Sequence, residues 1–296
     1  MTDSNPYFII AIDDRVNICS EVLNTTGQPS AAEREKAANL KRIVFEGITS
    51  AVEHGLAKSS VAVWADNDLG ESAILRAKPM SMATVCSPGG RPHSLGRLGV
   101  DFTGIHLTFD PESQETARSE LLERLKAVSD AARAESMPLL IELDTVPTQE
   151  QIETYNGLPQ ARSTLLLKSV KHLQDKGVEP AIWVFNPAAD ETLTAALAAQ
   201  AHVDDRIVRV LLVSSGDLLD GKVEPGLPQY EKRIAHLAAR TPGIDGMLVG
   251  PGAYFQHLVR FNNDSITRAE AIDAIALHLR DLDEIFENSR SASRVV

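Results

Sequence analysis

The sequence predicts an α/β protein that folds as a single (β/α)8 TIM barrel. Short apolar, β-branched runs alternate along the chain with stretches of 3.6-residue helical periodicity. Strands this apolar indicate a parallel sheet that is buried on both faces. Eight strand–helix units in about 250 residues fit a closed barrel better than an open, doubly wound sheet.

The predicted strands follow one another at regular intervals. They are 7–13, 60–66, 81–86, 102–109, 137–144, 181–186, 207–215 and 244–250. Their Val, Ile, Leu and aromatic residues pack well on a pleated, buried surface. The third unit is the weakest, because the Gly/Pro-rich loop SPGGRPHSLGRLG follows Cys86 and leaves room for little more than a short helix.

Amphipathic patterns predict the helices between most of these strands. They are 31–55, 113–136, 161–177, 230–243 and 267–288. The first places Leu40, Val44 and Ile48 on one face, as a helix that packs on a barrel requires. The third closes on Gly177, a residue that commonly ends a helix.

Charge and composition exclude several classes of partner. The net charge is −12 and the pI is about 5.1, so a nucleic-acid or anionic-membrane partner is not expected. No apolar run approaches the roughly 18 residues that a membrane span needs, and MTDSNPYFII lacks the basic region of a signal peptide. Two cysteines make no disulfide framework. We expect a cytoplasmic protein, one domain over 1–296 with an ordered core at about 7–285. Its predicted partner is a small molecule, and a homo-oligomer stays open.

Polar residues at the carboxyl ends of the strands are the candidate site, because barrel active sites lie at that face. In strand order they are Asp13, Asp14 and Arg15; Asp66 and Asp68; Cys86; His106, with Asp110 and Glu112 beyond it; Glu142 and Asp144; Asn186; Ser214 and Ser215; and Gly250 and Gly252.

Three of these residues are the catalytic candidates. Asp13 and Glu142 are candidates to orient substrate hydroxyls or transfer protons, and His106 is a candidate general acid/base because histidine as a residue type can exchange a proton near neutral pH. Glu142 lies within the apolar run LLIEL and is costly to bury unpaired, so we expect it in the polar mouth. The alternatives are purely structural roles: a salt bridge in a loop for Asp13, and a hydrogen-bonded histidine of the barrel core for His106.

The remaining residues are candidates for substrate binding. They are Asp14, Arg15, Asp66, Asp68, Asn186, Ser214, Ser215, Gly250 and Gly252. Asp66, Asp68, His106, Glu142 and Asp144 together could also form a ring suited to Mg²⁺ or Mn²⁺. No compact ligand-spacing motif supports that ring, so no cofactor is predicted and a divalent metal stays an alternative. Cys86 is interpreted as a small buried hydrophobe rather than a nucleophile.

No lysine lies on a predicted strand near its carboxyl end. Lys222, in the long loop after the seventh strand, is the one lysine that could swing over the mouth. An imine-forming lysine needs a rigid, desolvated position to lower its pKa, and a loop of this kind offers neither.

Several stretches together resemble one family. FIIAIDDR, ADNDLGESAI, GIHLTFDPE, LLIELD, PAIWVFNP and GIDGMLVGPGAYF resemble strand segments of the class I tagatose-1,6-bisphosphate aldolase group. The chain is most similar to the uncharacterised aldolase-like domain that is fused to the sugar kinase of bacterial inositol catabolism, the 5-dehydro-2-deoxygluconokinase. The resemblance covers about residues 7 to 285 and implies an aldolase-like TIM barrel.

The resemblance implies a partial match of functional residues. Asp13, Arg15 and Glu142 stand where the group keeps an Asp, an Arg and a Glu for substrate binding and proton transfer. His106 replaces a lysine of the fourth strand, and Val184 replaces the Schiff-base lysine of the sixth. A further replacement puts Pro251 where the group has a phosphate-binding arginine. The covalent machinery and one phosphate anchor of the group are therefore missing.

Three functions are compatible with this pattern. The first is a diverged lyase or isomerase that acts on a small sugar-derived or sugar-phosphate substrate through Asp13, His106 and Glu142. The second is a non-catalytic barrel that binds a metabolite or a partner. The third is an aldol cleavage in which a divalent metal polarises the carbonyl instead of an imine.

Overall fold

The strands close into a parallel β-barrel in chain order, in a computed structural model that describes residues 7–87, 98–134, 136–186, 191–214 and 227–293. They are β1 Phe8–Ala11, β2 Val61–Asp66, β3 Ala83–Ser87, β4 Phe102–Thr108, β5 Leu139–Asp144, β6 Ile182–Phe185, β7 Arg209–Val213 and β8 Gly246–Val249. Parallel pairing of β8 with β1 closes the ring. The prediction of a (β/α)8 TIM barrel is confirmed.

Helices surround the barrel. They are α1 Ile18–Glu21, α2 Ala31–Glu53, α3 Glu71–Ala77, α4 Glu115–Ala134, α5 Gln149–Thr154, α6 Leu158–Asp175, α7 Glu191–Ala201, α8 Leu227–Arg240, α9 Phe255–Asn262 and α10 Arg268–Ser293. α1, α3, α5, α7 and α9 lie outside the predicted helical ranges. Four of them are too short to show periodicity, and the Ala-rich sequence of α7 shows little contrast between its faces. Among the described residues, no helix is both long and apolar enough to cross a bilayer.

Local sequence sets the ends of several helices. Ser30 and Glu33 form a reciprocal capping box at the start of α2, and Thr148 and Gln151 form another at the start of α5. The predicted stop after α6 is confirmed, because Gly177 has a φ of +76°, a conformation that most other residues avoid. These ends place α2 and α6 against the barrel with their first turns near its carboxyl-terminal face.

The core has two layers, separated by the barrel wall. One cluster fills the barrel interior and includes Ile9, Trp64, Val85, Val184 and Leu248. The larger cluster lies between the barrel and the helices and includes Trp183 and Phe185. Successive strand residues point to opposite faces, so the interior set of each strand continues upward into the residues that line the mouth.

Candidate active site

Four polar side chains from three strand ends converge at the carboxyl-terminal mouth of the barrel. Asp13 and Arg15 follow β1, while His106 on β4 and Glu142 on β5 are register partners in adjacent strands. Arg15 Nε and Nη2 donate to Asp13 Oδ1 and Oδ2 at 2.6 and 3.0 Å. Its Nη1 donates to Glu142 Oε1 at 3.3 Å, and its Nη2 lies 3.0 Å from Oε2. We call these four residues the acid/base cluster.

His106 completes the cluster on its solvent side. Its Nε2 lies 3.3 Å from Glu142 Oε2 and 3.9 Å from Asp13 Oδ2. The side chains of Asp13, Arg15 and Glu142 are 0%, 9% and 9% exposed, whereas that of His106 is 45% exposed. A molecule entering the mouth therefore meets His106 first, with Glu142 directly behind it.

Charge pairing fixes the ionisation of the buried part. Burial by itself would raise the pKa of Asp13, but the charge and hydrogen bonds of Arg15 outweigh it, and the pKa lies below its ordinary value. Burial would lower the pKa of Arg15, but the two carboxylates around it raise that pKa instead. Asp13 is therefore a carboxylate at neutral pH and Arg15 a permanent cation.

Trp64 on β2 lies under the cluster and was not among the predicted site residues. Its indole ring centroid is 4.9 Å from Arg15 Cζ and 5.6 Å from the His106 ring, with 28° between the two ring planes. The signal for it was the alternation within VAVWAD, in which Trp64 and Asp66 share the inward face of β2.

Asp66 and Asp68 lie apart from the cluster, in structural contacts. Asp66 forms a buried ion pair with Lys41 of α2, and its Oδ1 accepts the backbone N–H groups of residues 68, 69 and 70 at 2.9, 2.7 and 3.2 Å. Asp68 pairs with Arg34 at the surface at 2.6 Å. The first aspartate fixes the loop after β2, and neither carboxylate reaches the mouth as a free group.

The other predicted residues are spread around the rim. Asp144 forms an ion pair with Arg162 of α6, with 3.1 Å between Nη2 and Oδ1. A guanidinium that the sequence did not predict therefore reaches the end of β5. Asn186 is half-buried after β6 and Asp14 is exposed. Ser214 is fully buried, and strand alternation from Val213 turns it toward the helices.

The eighth strand ends in a short turn. Gly250 is buried, and Gly252 lies in the single helical turn Pro251–Ala253. Ser215 and Lys222 fall outside the described residues.

Val184 stands where the aldolase group that the sequence resembles has its Schiff-base lysine, and its surroundings are apolar. Val184 is fully buried in the barrel interior, one strand from Glu142 and in register with it. Lys41 brings an ammonium close to Asp13; its Nζ donates to the Asp13 carbonyl at 3.0 Å. Its ion pair with Asp66 and its 4% exposed side chain hold that ammonium away from the mouth.

Cys86 and the outer loop residues of β4 have structural surroundings. Cys86 packs in the layer between barrel and helices, and burial raises its pKa to about 12, so its thiol is not a nucleophile at neutral pH. Glu112 is held by Lys168 and Tyr155 at 2.5 Å each. Within the described ranges, no three His, Cys, Asp or Glu side chains are placed to hold a metal ion.

Comparisons with known proteins agree with the barrel. The X-ray crystal structure of the YdjI aldolase from Escherichia coli K12 aligns with a TM-score of 0.53 at 13% identity, over 97% of this chain and 93% of that one. At this identity the likeness shows the fold alone, a barrel of the kind that this aldolase also has. The crystal structure of HydG, a maturase of the FeFe hydrogenase, aligns with a TM-score of 0.42 at 12% identity, over 98% of this chain and 78% of that one, which is too low to support an argument.

Family membership comes from the sequence itself. A search of the curated proteins finds no match. The model of one family matches residues 2–290, almost the whole chain. The protein therefore belongs to DUF2090, the family described as an uncharacterized protein conserved in bacteria.

Proposed function

We propose that the protein is a diverged enzyme of the aldolase superfamily that moves protons on a small, sugar-derived hydroxy-carbonyl substrate without forming an imine. The observation that carries this proposal is the placement of His106 directly over Glu142, with Nε2 and Oε2 3.3 Å apart. A histidine backed by a carboxylate and facing an open mouth is a general arrangement for acid/base catalysis.

Each residue of the cluster has a role in this proposal. We assign Glu142 Oε2, a buried oxygen without a hydrogen-bond donor among the described residues, as the acceptor for the Nε2–H of His106 during the reaction, and Nδ1 as the base that receives the substrate proton. Arg15 forms an ion pair with Glu142 and places positive charge beside the negative charge that develops on the substrate oxygen. Asp13 is fully buried and bound to Arg15 through two hydrogen bonds, so it anchors Arg15 rather than exchanging protons itself.

The chemistry divides into two reactions with the same first requirement. In a lyase reaction, His106 takes the proton of a β-hydroxyl, the adjacent C–C bond breaks, and the enolate formed takes a proton at carbon. In an isomerase reaction on an α-hydroxy-carbonyl compound, His106 takes the proton from the hydroxyl-bearing carbon and returns it to the former carbonyl carbon, while the hydroxyl proton moves to the former carbonyl oxygen; the C=O bond thus moves by one carbon. Both reactions place a proton from His106 on a carbon atom, so both exchange substrate C–H for solvent hydrogen.

The absence of an imine follows from the lysines that are described. Val184 occupies the interior position, and Lys41 Nζ is held in a buried ion pair with Asp66 and a hydrogen bond to the Asp13 carbonyl, so it is not free to attack a substrate carbonyl. The resemblance to the class I tagatose-1,6-bisphosphate aldolase group, and to the aldolase-like domain fused to the sugar kinase, supports a sugar-derived or sugar-phosphate substrate in this proposal. The metal-assisted alternative has no ligand set among the described residues.

A second candidate is a non-catalytic metabolite-binding barrel, and one observation favours it. Arg15 forms ion pairs with both Asp13 and Glu142, so the three buried charges are paired within the protein without a ligand, although Glu142 Oε2 has no hydrogen-bond donor among the described residues. In that case His106 would contribute a hydrogen bond to a bound molecule and no proton transfer.

Deuterium exchange separates the two candidates. The protein would be incubated in D₂O with dihydroxyacetone, glyceraldehyde, their phosphates and a set of keto-hexoses with and without phosphate, and C–H loss would be followed by NMR. The proposal predicts exchange with at least one compound, lost in His106→Gln and Glu142→Gln but kept in the matched rim variant Asp68→Asn. If a compound binds but no compound exchanges, the result favours the non-catalytic barrel. If no compound binds and none exchanges, both candidates are overturned.

A further inference from the structure

The aromatic side chain of Trp64 packs beneath the acid/base cluster. Trp64 is fully buried inside the barrel, and its indole faces both Arg15 and His106. The guanidinium of Arg15 lies over the ring at 4.9 Å, and the imidazole of His106 is stacked on it at 5.6 Å. One ring therefore contacts the cation that holds the carboxylates and the histidine that faces the substrate.

Two neighbouring strands hold the indole in this place. Its Nε1–H donates to Ser87 Oγ on β3 at 2.8 Å, which fixes the rotation of the ring. Gly104 on β4 provides the space: a Cβ there would lie 2.6 Å from Trp64 Cε2 and 2.7 Å from Cζ2. Gly104 is the inward residue next below His106 on the same strand, so the strand that carries the histidine also makes room for its support.

We propose that Trp64 is a positioning residue for the acid/base cluster, acting through Arg15 and His106. A cation over an indole face is attracted by the ring quadrupole, most strongly where water is excluded. A flat ring beneath both residues also removes their alternative rotamers, which matters because catalytic groups must be held to within about 0.5 Å. The catalytic meaning of this positioning rests on the proposed function, but the positioning itself does not.

The chain offers a matched control for the experiment. Trp183 is 1% exposed and also lies on a strand, but it packs in the layer between barrel and helices, with its ring 5.8 Å from that of Phe185. Trp64→Leu and Trp183→Leu thus remove the same side chain at the same depth. Only the first removes the support of the cluster.

NMR provides a readout that needs no substrate. Two signals are followed. Burial and the hydrogen bond to Asp13 protect the Nε–H of Arg15 from exchange with water, and the indole shifts the ring-proton signals of His106 upfield. They are assigned by comparison with Arg15→Lys and His106→Gln. We expect Trp64→Leu to lose the Arg15 signal to exchange with water and to abolish the upfield shift of His106. We expect Trp64→Phe, which keeps an aromatic face, to restore most of both, and Trp183→Leu to change neither.

The outcomes separate positioning from packing. A folded Trp64→Leu protein with both signals unchanged overturns the proposal, as does a loss of the same signals in Trp183→Leu. If Trp64→Leu does not fold, Ser87→Ala decides, because it removes only the hydrogen bond of the indole: a reduced upfield shift of His106 supports the proposal and an unchanged one overturns it. For a substrate found by deuterium exchange, kcat in the folded variant should fall about a hundredfold. If no substrate exchanges but the signals collapse as expected, positioning stands and the proposed function fails.

Discussion

Removal of Arg15 is the sharpest test of the buried charge arrangement. Arg15→Met keeps much of the apolar stem and deletes the guanidinium, which leaves Asp13 and Glu142, both almost fully buried, without their shared cation. Loss of one partner from a buried ion pair costs about 3–5 kcal/mol, because the remaining charge has no water to replace it. We expect a loss in this range at pH 7.5, measured by urea unfolding with the slope m held common to both proteins.

The loss should depend on pH in a defined direction. In the wild type, Arg15 holds the pKa of Asp13 below its ordinary value, so its stabilising contribution is present above about pH 4 and is lost only as pH falls further. In the variant, buried Asp13 lacks its cation, so its charged form is penalised as pH rises. The difference between the two proteins must therefore shrink when unfolding is repeated at pH 5.

A surface arginine provides the control. Arg34 pairs with Asp68, but both side chains are largely exposed, at 44% and 61%. Exposed pairs contribute little to stability, so Arg34→Met should be nearly silent. A loss in Arg15→Met no larger than that in Arg34→Met, or one independent of pH, would refute the description of the cluster as a desolvated ion network.

Three further outcomes follow from the structure. Burial raises the pKa of Asp283, beside Tyr7, to about 6. Its stabilising effect is therefore complete below about pH 4 and is lost as pH rises through about 6. The free energy of unfolding of Asp283→Asn, measured with urea, should exceed that of the wild type by about 1 kcal/mol at pH 7.5, after allowance for solvent screening, and should equal it near pH 4. Burial lowers the pKa of His257, so its contribution is present above about pH 6.5 and lost as pH falls; thermal unfolding of His257→Leu should therefore show a shallower acid limb between pH 6.5 and 5, and identical limbs would contradict the assignment. Cys86 should resist iodoacetamide at pH 8 in the folded protein and react fully in urea, as counted by intact mass; rapid labelling of the folded protein would contradict its burial.

The barrel and the residues at the centre of the candidate site could be predicted from the sequence. Apolar strand runs and helical periodicity determine the order of elements, and the rule that barrel sites lie at the carboxyl ends of strands then brings Asp13, His106 and Glu142 together. All three lie in the acid/base cluster, with His106 and Glu142 in register on neighbouring strands. The exact ends of the strands were less predictable, because the last residues of several runs leave the ladder to start a loop.

What the sequence did not predict depends on contacts between distant elements. Lys41 lies on the apolar stripe of α2, in phase with Leu40, Val44 and Ile48, and only the fold shows that its ammonium reaches Asp66. Arg162 of α6 reaches Asp144 in the same way. In both cases a long helical side chain crosses to a strand end, and a one-dimensional pattern does not encode that distance.

Asp66 also shows how a strand-end carboxylate can be structural. The segment DNDLG that begins with it is a typical loop sequence, in which an aspartate accepts backbone N–H groups of the residues that follow. The structure shows that arrangement, with three such N–H groups on Oδ1. Position at the mouth alone therefore does not separate a substrate ligand from a loop anchor.

Borohydride trapping tests the central claim most directly. The wild-type protein would be mixed with each hydroxy-carbonyl compound that exchanges deuterium, reduced with borohydride, and weighed by intact mass spectrometry. We predict an unmodified mass together with retained exchange activity after reduction, because the buried Val184 and the mouth residue His106 stand where the aldolase group that the sequence resembles has lysines. A stable adduct on any lysine, located by peptide mapping, would contradict it and would assign the chemistry to covalent catalysis.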